Sequence, residues 1–522
     1  MRGNMPPDKA YDYIVSKISK REIKLYILSC IIGYIVHYIL YSQQLTNPDG
    51  SWGGGSFVHE SSQWEIELGR WGLYLIDCSR GFLVSPFLVC TISIIIMGIA
   101  GLFLLRVLKI SSKIYSVIIL IMMISMPCFS YTLSYWYCAD AYTYAMLFAI
   151  LSVYFVNKEG SKNFLMGVVC MTMMLGLYQA YLCVTVGLCL ICLFIQLYEE
   201  SIIKYFWKKI CRFIAFGISG VGLYWIILQI VLLVNNIRLS DYSGANNISV
   251  INSLKSLPQR ILHTYYVFFD WMFGNEIILN EYWKRPYFYV LLLVVGGVSF
   301  IMLNRMYRKR TVIGVIILLL FPVGISSIEI IAPERDINIL LSCGMCLIIP
   351  FVLKMTEMVN DKYVIQYICI IVSVLIVWSY ILTDNATYLA VQTTTRQTET
   401  VLRDIYSDVQ DLEDYERDSK YMFAGIIDKS LYKRDAKIYK MSYGSWAYMD
   451  SFWNSYNGSR ADWFYLYFNL LGMKLNLCSE EEYINIVNSE EFENMSIYPA
   501  KNSIKIIDGI VCVKMSQNPP LP

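Results

Sequence analysis

Long apolar runs separated by short polar stretches fill the chain up to Thr383. A helix that crosses a bilayer needs about 20 predominantly apolar residues. Eleven runs meet or approach that length: 25–41, 82–105, 114–133, 139–156, 164–177, 181–197, 213–234, 287–303, 312–331, 337–353 and 363–382. The fifth and sixth come from one unbroken stretch, too long for a single crossing. A tight re-entrant turn at Gly176-Leu177-Tyr178-Gln179-Ala180-Tyr181 divides it; a single strongly tilted span is the alternative. After Thr383 the pattern changes. Within 393–418, Val401, Ile405, Val409 and Leu412 recur on one face of an otherwise polar helix. Short strand-like runs follow at 421–427, 503–507 and 510–513, the last two joined by Asp508-Gly509, a two-residue hairpin signal. Between them lie an aromatic-rich stretch, 446–468, and a helix opening at Ser479-Glu480-Glu481-Glu482. The pattern predicts an α-helical polytopic membrane protein of about 11 transmembrane helices with a small C-terminal α/β domain. Residues 1–24 precede the first span, 25–383 form the membrane part with a polar loop at 46–81, and 384–522 form the appended domain.

Composition excludes other classes. Only 16% of the 522 residues are charged and 56% are hydrophobic. A soluble chain carries about 25% charged residues. The net charge of +2 supplies no basic field for nucleic acid. Most of the 15 cysteines sit in apolar runs and act there as small apolar residues. Cys478 and Cys512 could pair if the C-terminal part faces an oxidising space. No small-residue cleavage site follows the first run, so it is expected to remain as an uncleaved span.

Lysine and arginine set the orientation. They cluster before the first span, at Arg106/Lys109/Lys113, Lys158/Lys162, Lys204–Arg212, Arg305–Arg310 and Lys354/Lys362. These clusters fall on alternate loops and are expected to be cytoplasmic. Loop 46–81 and the C-terminal domain then face outward.

Loop 46–81 is the main candidate for chemistry. It holds Asp49, Trp52, the run Gly53-Gly54-Gly55, His59 and Glu60. Trp64, Leu68, Trp71 and Leu75 form a helical stripe, with Glu65, Arg70, Asp77 and Arg80 off it. That pattern predicts a short helix in the interface plane, apolar face in lipid and charges toward water. An ordinary connecting loop with a core-facing helix is the alternative. Further outer-side candidates are Asp140 after Tyr135-Trp136-Tyr137, Tyr178 and Gln179, Glu329, Glu334 and Arg335, and His263, Asp270 and Glu276 in the 235–285 loop. Ionisable residues near membrane depth are costly and usually functional; singly, Asp140 could be a helix cap and Arg335 a headgroup anchor. His37 is expected to be a helix-packing polar residue.

Several short motifs carry a resemblance. They are Glu67-Leu68-Gly69-Arg70-Trp71-Gly72, Ala139-Asp140-Ala141-Tyr142, Leu175-Gly176-Leu177-Tyr178-Gln179-Ala180-Tyr181, Ala332-Pro333-Glu334-Arg335, and 498–504 running into 507–511. In these the chain resembles the Gtr-type (type II) bacterial O-antigen glucosyltransferases, which have the C-type membrane glycosyltransferase fold (GT-C). The resemblance implies transfer of a hexose, glucose by family, from a polyprenyl-phosphate donor to a surface polysaccharide or glycolipid on the outer face. A donor-synthesising transferase and a flippase would be partners; no nucleic acid is implied. A departing phosphate needs positive charge, assigned first to Arg335 and second to Arg70. The acceptor hydroxyl needs a base within hydrogen-bond reach, assigned to Asp49 with Glu60 in reserve. One base opposite the departing phosphate would give inversion at the sugar carbon. Asp140, Tyr178, Gln179, Trp52, Trp71 and Glu334 are expected to line the substrate site, and Trp64 and Trp136 to stack on it or anchor the interface. No cofactor is expected; the lone Asp49 stands where relatives carry paired acids, which leaves a divalent metal unsupported. Competing readings are a lipid-linked-oligosaccharide flippase or other transporter, which would show related halves, and a polysaccharide polymerase or ligase.

Overall fold

The computed structural model describes residues 16, 18–47, 57–199, 202–240, 250–274, 285–306, 308–331, 339–359, 361–425, 436–442 and 476–519. All eleven apolar runs become helical. A Ser19/Glu22 capping box starts α1 (Lys20–Val36), which His37 offsets from α2 (Tyr38–Ser42). Two short helices cross the following loop, α3 (Gln63–Glu67) and α4 (Leu73–Ser79). Ser85 caps α5 (Pro86–Leu108), with Pro86 in the first turn where its missing N–H costs nothing. Helices α6 (Lys113–Ser125) and α7 (Pro127–Leu133) are one run bent by 42° at Met126, because Pro127 cannot donate into the preceding turn. Then come α8 (Ala139–Val156), α9 (Ser161–Leu177), a 3-10 turn (Gln179–Tyr181), α10 (Leu182–Glu199) and α11 (Ile203–Asn235). The membrane part continues with α12 (Val250–Phe273), α13 (Arg285–Asn304), α14 (Arg308–Ile325), α15 (Ile328–Ile331), a 3-10 segment (Ile339–Leu347), α16 (Ile348–Met358) and the 48-residue α17 (Tyr363–Gln410).

Seven helices among the described residues are long and apolar enough to cross a membrane, eight if the bent pair forms one span. This is a membrane protein. The count is lower than the eleven runs for local reasons. Helix α1 has 17 residues and α9 has 17, and α14 opens on Arg308-Lys309-Arg310. Helix α12 lies in what the hydropathy pattern left as a loop. Its apolar residues are spaced along one face: Val267, Phe268, Trp271 and Met272 are buried while Leu262, Tyr266 and Phe269 are exposed. No continuous apolar run marks such a helix.

The expected turn after Leu177 is present. Tyr178 is extended (φ −159°, ψ 112°), which ends α9. Helix α10 then returns, so that Glu199 lies 4.0 Å from Lys109, and one cavity is lined by Glu199, Asn157 and Lys158 together. The basic loops meet at this same end. Arg106 pairs with Glu22 at 2.6 Å, Arg21 donates to the Ser111 carbonyl, Glu357 accepts from Ser111 and Ser112, and Arg305 pairs with Asp361 at 2.8 Å. The α3–α4 loop, with Asp77, Asp140 and the Tyr142–Tyr178 stack, lies at the other end.

His37 is a packing residue. It is fully buried, its Nδ1 2.7 Å from the Tyr388 hydroxyl and its Nε2 2.9 Å from the Ile124 carbonyl. Tight helix contact also depends on Gly344, where an added Cβ would collide with the Ile325 carbonyl oxygen. Because that neighbour is backbone, Gly344→Ala is expected to destabilise by about 1–3 kcal/mol, read as earlier thermal unfolding of the purified protein. Wild-type stability in the variant would show that the 3-10 segment yields freely.

The C-terminal part forms a four-stranded sheet of order β2-β1-β4-β3, with β1 (Lys420–Ala424), β2 (Asn476–Leu477), β3 (Ile504–Ile507) and β4 (Ile510–Lys514). Strand β1 runs parallel to β2 and β4, and β3 and β4 form the expected hairpin. Its turn needs two positive φ angles, and Asp508 (50°) and Gly509 (75°) supply them. The helix at 479 begins on a Ser479/Glu482 capping box. The stripe's Val401, Ile405 and Val409 belong to the end of α17, with Ile405 and Val409 buried, while Leu412 lies just past it. The membrane part and the start of the C-terminal domain therefore share one helix. Cys478 and Cys512 are both free thiols, so the possible disulfide is not formed. The aromatic stretch 446–468 lies outside the described residues.

Candidate active site

The loop at 57–81 is built differently from the interfacial helix that its stripe predicts. Gly69, at φ +76°, separates α3 from α4, so the stripe never becomes one face. The charges turn inward. Asp77 is 2% exposed, and the Arg80 side chain also 2%. Trp64 and Leu75 are 45% and 50% exposed. This inversion suits an apolar surround: lipid accepts the leucine and tryptophan, and the ions find partners only inside. The outward apolar side chains agree with the first expectation; the charges, expected toward water, do not.

Arg80 is the centre of a buried ion network. It donates to Asp77 through a short contact, to the Tyr137 carbonyl at 2.8 Å, and lies 3.3 Å from Asp140 Oδ1. Asp77 Oδ2 accepts from the Ser61 N–H at 2.9 Å and lies 3.2 Å from His59 Nδ1. Burial pushes the Asp77 pKa up, but the His59 and Ser61 contacts and the Arg80 charge outweigh it and hold the carboxyl below its usual range. His59 continues the network to Glu65 at 3.8 Å and packs its ring 4.8 Å from Tyr137. Asp140 is 1% exposed; its Oδ1 accepts from the Ala141 N–H at 2.9 Å, while its Oδ2 is buried without a hydrogen-bond partner.

Beside the network, three of the motifs dock on one another. The Gly72 N–H donates to the Gly176 carbonyl at 2.8 Å. The Trp71 ring lies against Gly176, where an added Cβ would come within 2.5 Å of it. Gln179 Nε2 donates to the Leu68 carbonyl at 2.9 Å and meets the Tyr224 hydroxyl at 3.0 Å, and Tyr224 donates to the Gly69 carbonyl. The Tyr142 and Tyr178 rings stack at 4.1 Å with planes 11° apart. Arg70 crowns this stack. Its Nη1 donates to the Tyr142 hydroxyl at 3.1 Å and its guanidinium carbon lies 4.8 Å from the Tyr178 ring centre. No carboxylate among the described residues lies within ion-pair distance of Arg70, and its Nε is buried without a partner. A guanidinium held by aromatic rings and lacking a counter-charge is suited to receive an anion.

The family model for glucosyl transferase GtrII matches residues 57–349. The chain belongs to that family. No curated protein and no solved structure matches it. Within this glucosyltransferase the matched stretch contains the Arg80 network and all three docked motifs.

The expected site residues divide accordingly. The structure brings together Arg70, Trp71, Asp140, Tyr178 and Gln179. Glu60 is exposed, next in the chain to His59 of the ion network. Asp49, Trp52, Glu276, Glu334 and Arg335 lie outside the described residues. The two flanks of 48–56 are fixed on neighbouring segments of the helical body. Asn47 bonds through its backbone and its side chain to Ser134, and the Phe57 carbonyl accepts from Val84. Trp136 corrects the expectation of an interface anchor: it is buried and donates to the Leu45 carbonyl at 2.9 Å, which ties down the chain just before 48–56. Gln179 spends its amide nitrogen on holding the Gly69 loop. His263 pairs with Glu329 at 3.5 Å on a separate helix pair, α12 and α15. Sequence reasoning missed the inward roles of Asp77 and Arg80. Their i,i+3 spacing was a usable signal for an ion pair, but nothing local pointed to Asp140 as the third member. Among the described residues no group of three His, Cys, Asp or Glu side chains could hold a metal ion.

Proposed function

We propose that this glucosyltransferase moves glucose from a polyprenyl-phosphate carrier onto a surface polysaccharide, such as an O-antigen, or a glycolipid at the outer face of a bacterial plasma membrane, in the manner of a C-type membrane glycosyltransferase. The observation that carries the reading is Arg70, an arginine held over Tyr142 and Tyr178, with no carboxylate among the described residues within ion-pair distance, at the end of the helices away from the basic loops. The gathering of lysine and arginine loops at the opposite end supports an outward-facing site. No nucleotide-sugar pool exists outside a bacterium, which favours a lipid-borne donor.

In the reaction the acceptor hydroxyl oxygen forms a bond to the sugar C1 as the C1–O bond to phosphate breaks. The hydroxyl proton passes to a carboxylate, and the polyprenyl phosphate leaves with its negative charge facing Arg70. Asp49 is the proposed base, with Glu60 in reserve, and Arg335 a second phosphate ligand beside Glu334; Trp52 and Trp71 flank the sugar. Asp140 and Tyr178 shape the site from below. Backside attack makes the transfer inverting. A donor-synthesising transferase and a flippase would supply the substrate.

The full chain in proteoliposomes, given either labelled prenyl-phosphate glucose or UDP-glucose with an acceptor glycan, tests the proposal. Label should reach the glycan from the lipid donor alone. Transfer from UDP-glucose without the lipid would overturn the donor assignment.

A further inference from the structure

We propose that the basic end of the helical body holds the phosphate of an anionic phospholipid headgroup, in a site at the far end of α8 from Arg70 and Asp140. Eighteen residues of α8 separate the two places, about 27 Å at 1.5 Å per residue.

Two cavities adjoin there, of about 440 and 360 Å³, and share Asn157, Lys158, Gln196 and Lys209 as common wall. Both volumes lie within the range of small-ligand sites, about 300–1,000 Å³. Arg106, Lys109, Lys158, Lys208, Lys209 and Arg212 line them, opposed by Glu159 and Glu199. Several of these cations are already used. Lys208 pairs with Glu159 at 3.3 Å, Lys109 with Glu199 at 4.0 Å, and Arg106 with Glu22 at 2.6 Å. Arg212 donates to the carbonyls of Val156, Lys158 and Gly160 and so closes the C-terminus of α8.

Lys158 and Lys209 remain. The Lys209 ammonium, partly buried, meets the Cys192 carbonyl at 3.4 Å, and that of Lys158 lies 3.7 Å over the Tyr154 ring. Among the described residues neither has a carboxylate within ion-pair distance. A half-buried ammonium without a counter-charge is costly, and a bound anion removes the cost. The surroundings point to lipid as its source. Tyr205 lines the larger cavity, and Ile203, Tyr205 and Trp207 at the start of α11 are 38%, 48% and 52% exposed. Exposed aromatic and aliphatic side chains beside lysines mark the headgroup level of a bilayer. Basic pockets between helix ends at that level suit acidic headgroups.

The test uses the full-length protein in micelles, with short-chain phosphatidylglycerol, phosphatidylcholine of equal chain length, and inorganic phosphate as probes, bound species being counted by native mass spectrometry. Phosphatidylglycerol should bind well above phosphatidylcholine. Each lysine should contribute about fivefold, so K158Q/K209Q should lose about 25-fold, while K158R/K209R keeps most of the affinity. Equal binding of the two lipids, or an unchanged K158Q/K209Q, overturns the proposal. Inorganic phosphate binding as tightly as phosphatidylglycerol and lost in the same variant would also overturn it, by making free phosphate the occupant. If K158Q/K209Q does not fold, K158Q alone carries the test, because Lys158 is exposed and should lose about fivefold by itself.

Discussion

Arg70→Ala is expected to lower the turnover of glucosyl transfer by about 10²–10³-fold while leaving thermal unfolding of the purified protein nearly unchanged. The two halves of that expectation have different causes. In the reaction, charge develops on the departing phosphate, and removing one preorganised donor from such a position costs that much. Among the described residues Arg70 balances no carboxylate, so its loss strands no buried acid there. Only the Tyr142 hydroxyl loses a donor, and the Tyr142–Tyr178 stack can persist. Arg70→Lys should recover part of the rate. A lysine restores the charge but not the planar fork that both donates to Tyr142 and covers the Tyr178 ring. Transfer by Arg70→Ala within threefold of wild type would remove Arg70 from the reaction.

Arg80→Ala has the opposite signature, and its effect on folding is the largest expected here. Arg80 serves Asp77, Asp140 and the Tyr137 carbonyl from a side chain that is 2% exposed. Its removal leaves two buried carboxylates without a counter-charge. Breaking a buried pair in this way costs about 3–5 kcal/mol, far more than the net worth of the intact pair. The expected result is strongly reduced unfolding temperature or loss of folded protein, before any assay of activity. Arg80→Ala combined with Asp140→Asn should recover part of the loss, since one of the stranded charges is then gone. Wild-type unfolding of Arg80→Ala would mean that water reaches Asp77 and Asp140 and that the network is not closed.

Arg70 and Arg80 show how differently two arginines ten residues apart behave, and neither role could be read locally. Both stood off the apolar stripe of one loop, as did Glu65 and Asp77. Arg80 became the hub of an ion cluster because α4 turns Asp77 inward beneath Tyr137. Arg70 lies over Tyr142 and Tyr178, with no carboxylate among the described residues at ion-pair distance, because Gly69 turns the chain and Gln179 and Tyr224 hold that turn. The short motifs were more informative than the charges. Gly-Arg-Trp-Gly, Ala-Asp-Ala-Tyr and Gly-Leu-Tyr-Gln-Ala-Tyr are short strings far apart in the chain, and they are the three surfaces that pack together at the site.

The amino-acid order by itself determined the membrane class, the positions of the helices, the gathering of basic loops at one end, and the C-terminal hairpin. Those properties come from sums over neighbouring residues: apolar transfer, lysine and arginine spacing, and turn residues with the right φ. It missed α12, whose apolar face is interrupted at every turn, and it placed the charges of the 57–81 loop toward water although Asp77 and Arg80 turn inward. Only the tertiary structure decided that Asp140 closes on Arg80 across 60 positions of chain, and that Tyr142 and Tyr178 stack beneath Arg70. In lipid an apolar side chain is stable facing outward and an ion only facing a partner, so the inward face is chosen by what lies across the cavity and not by the stripe.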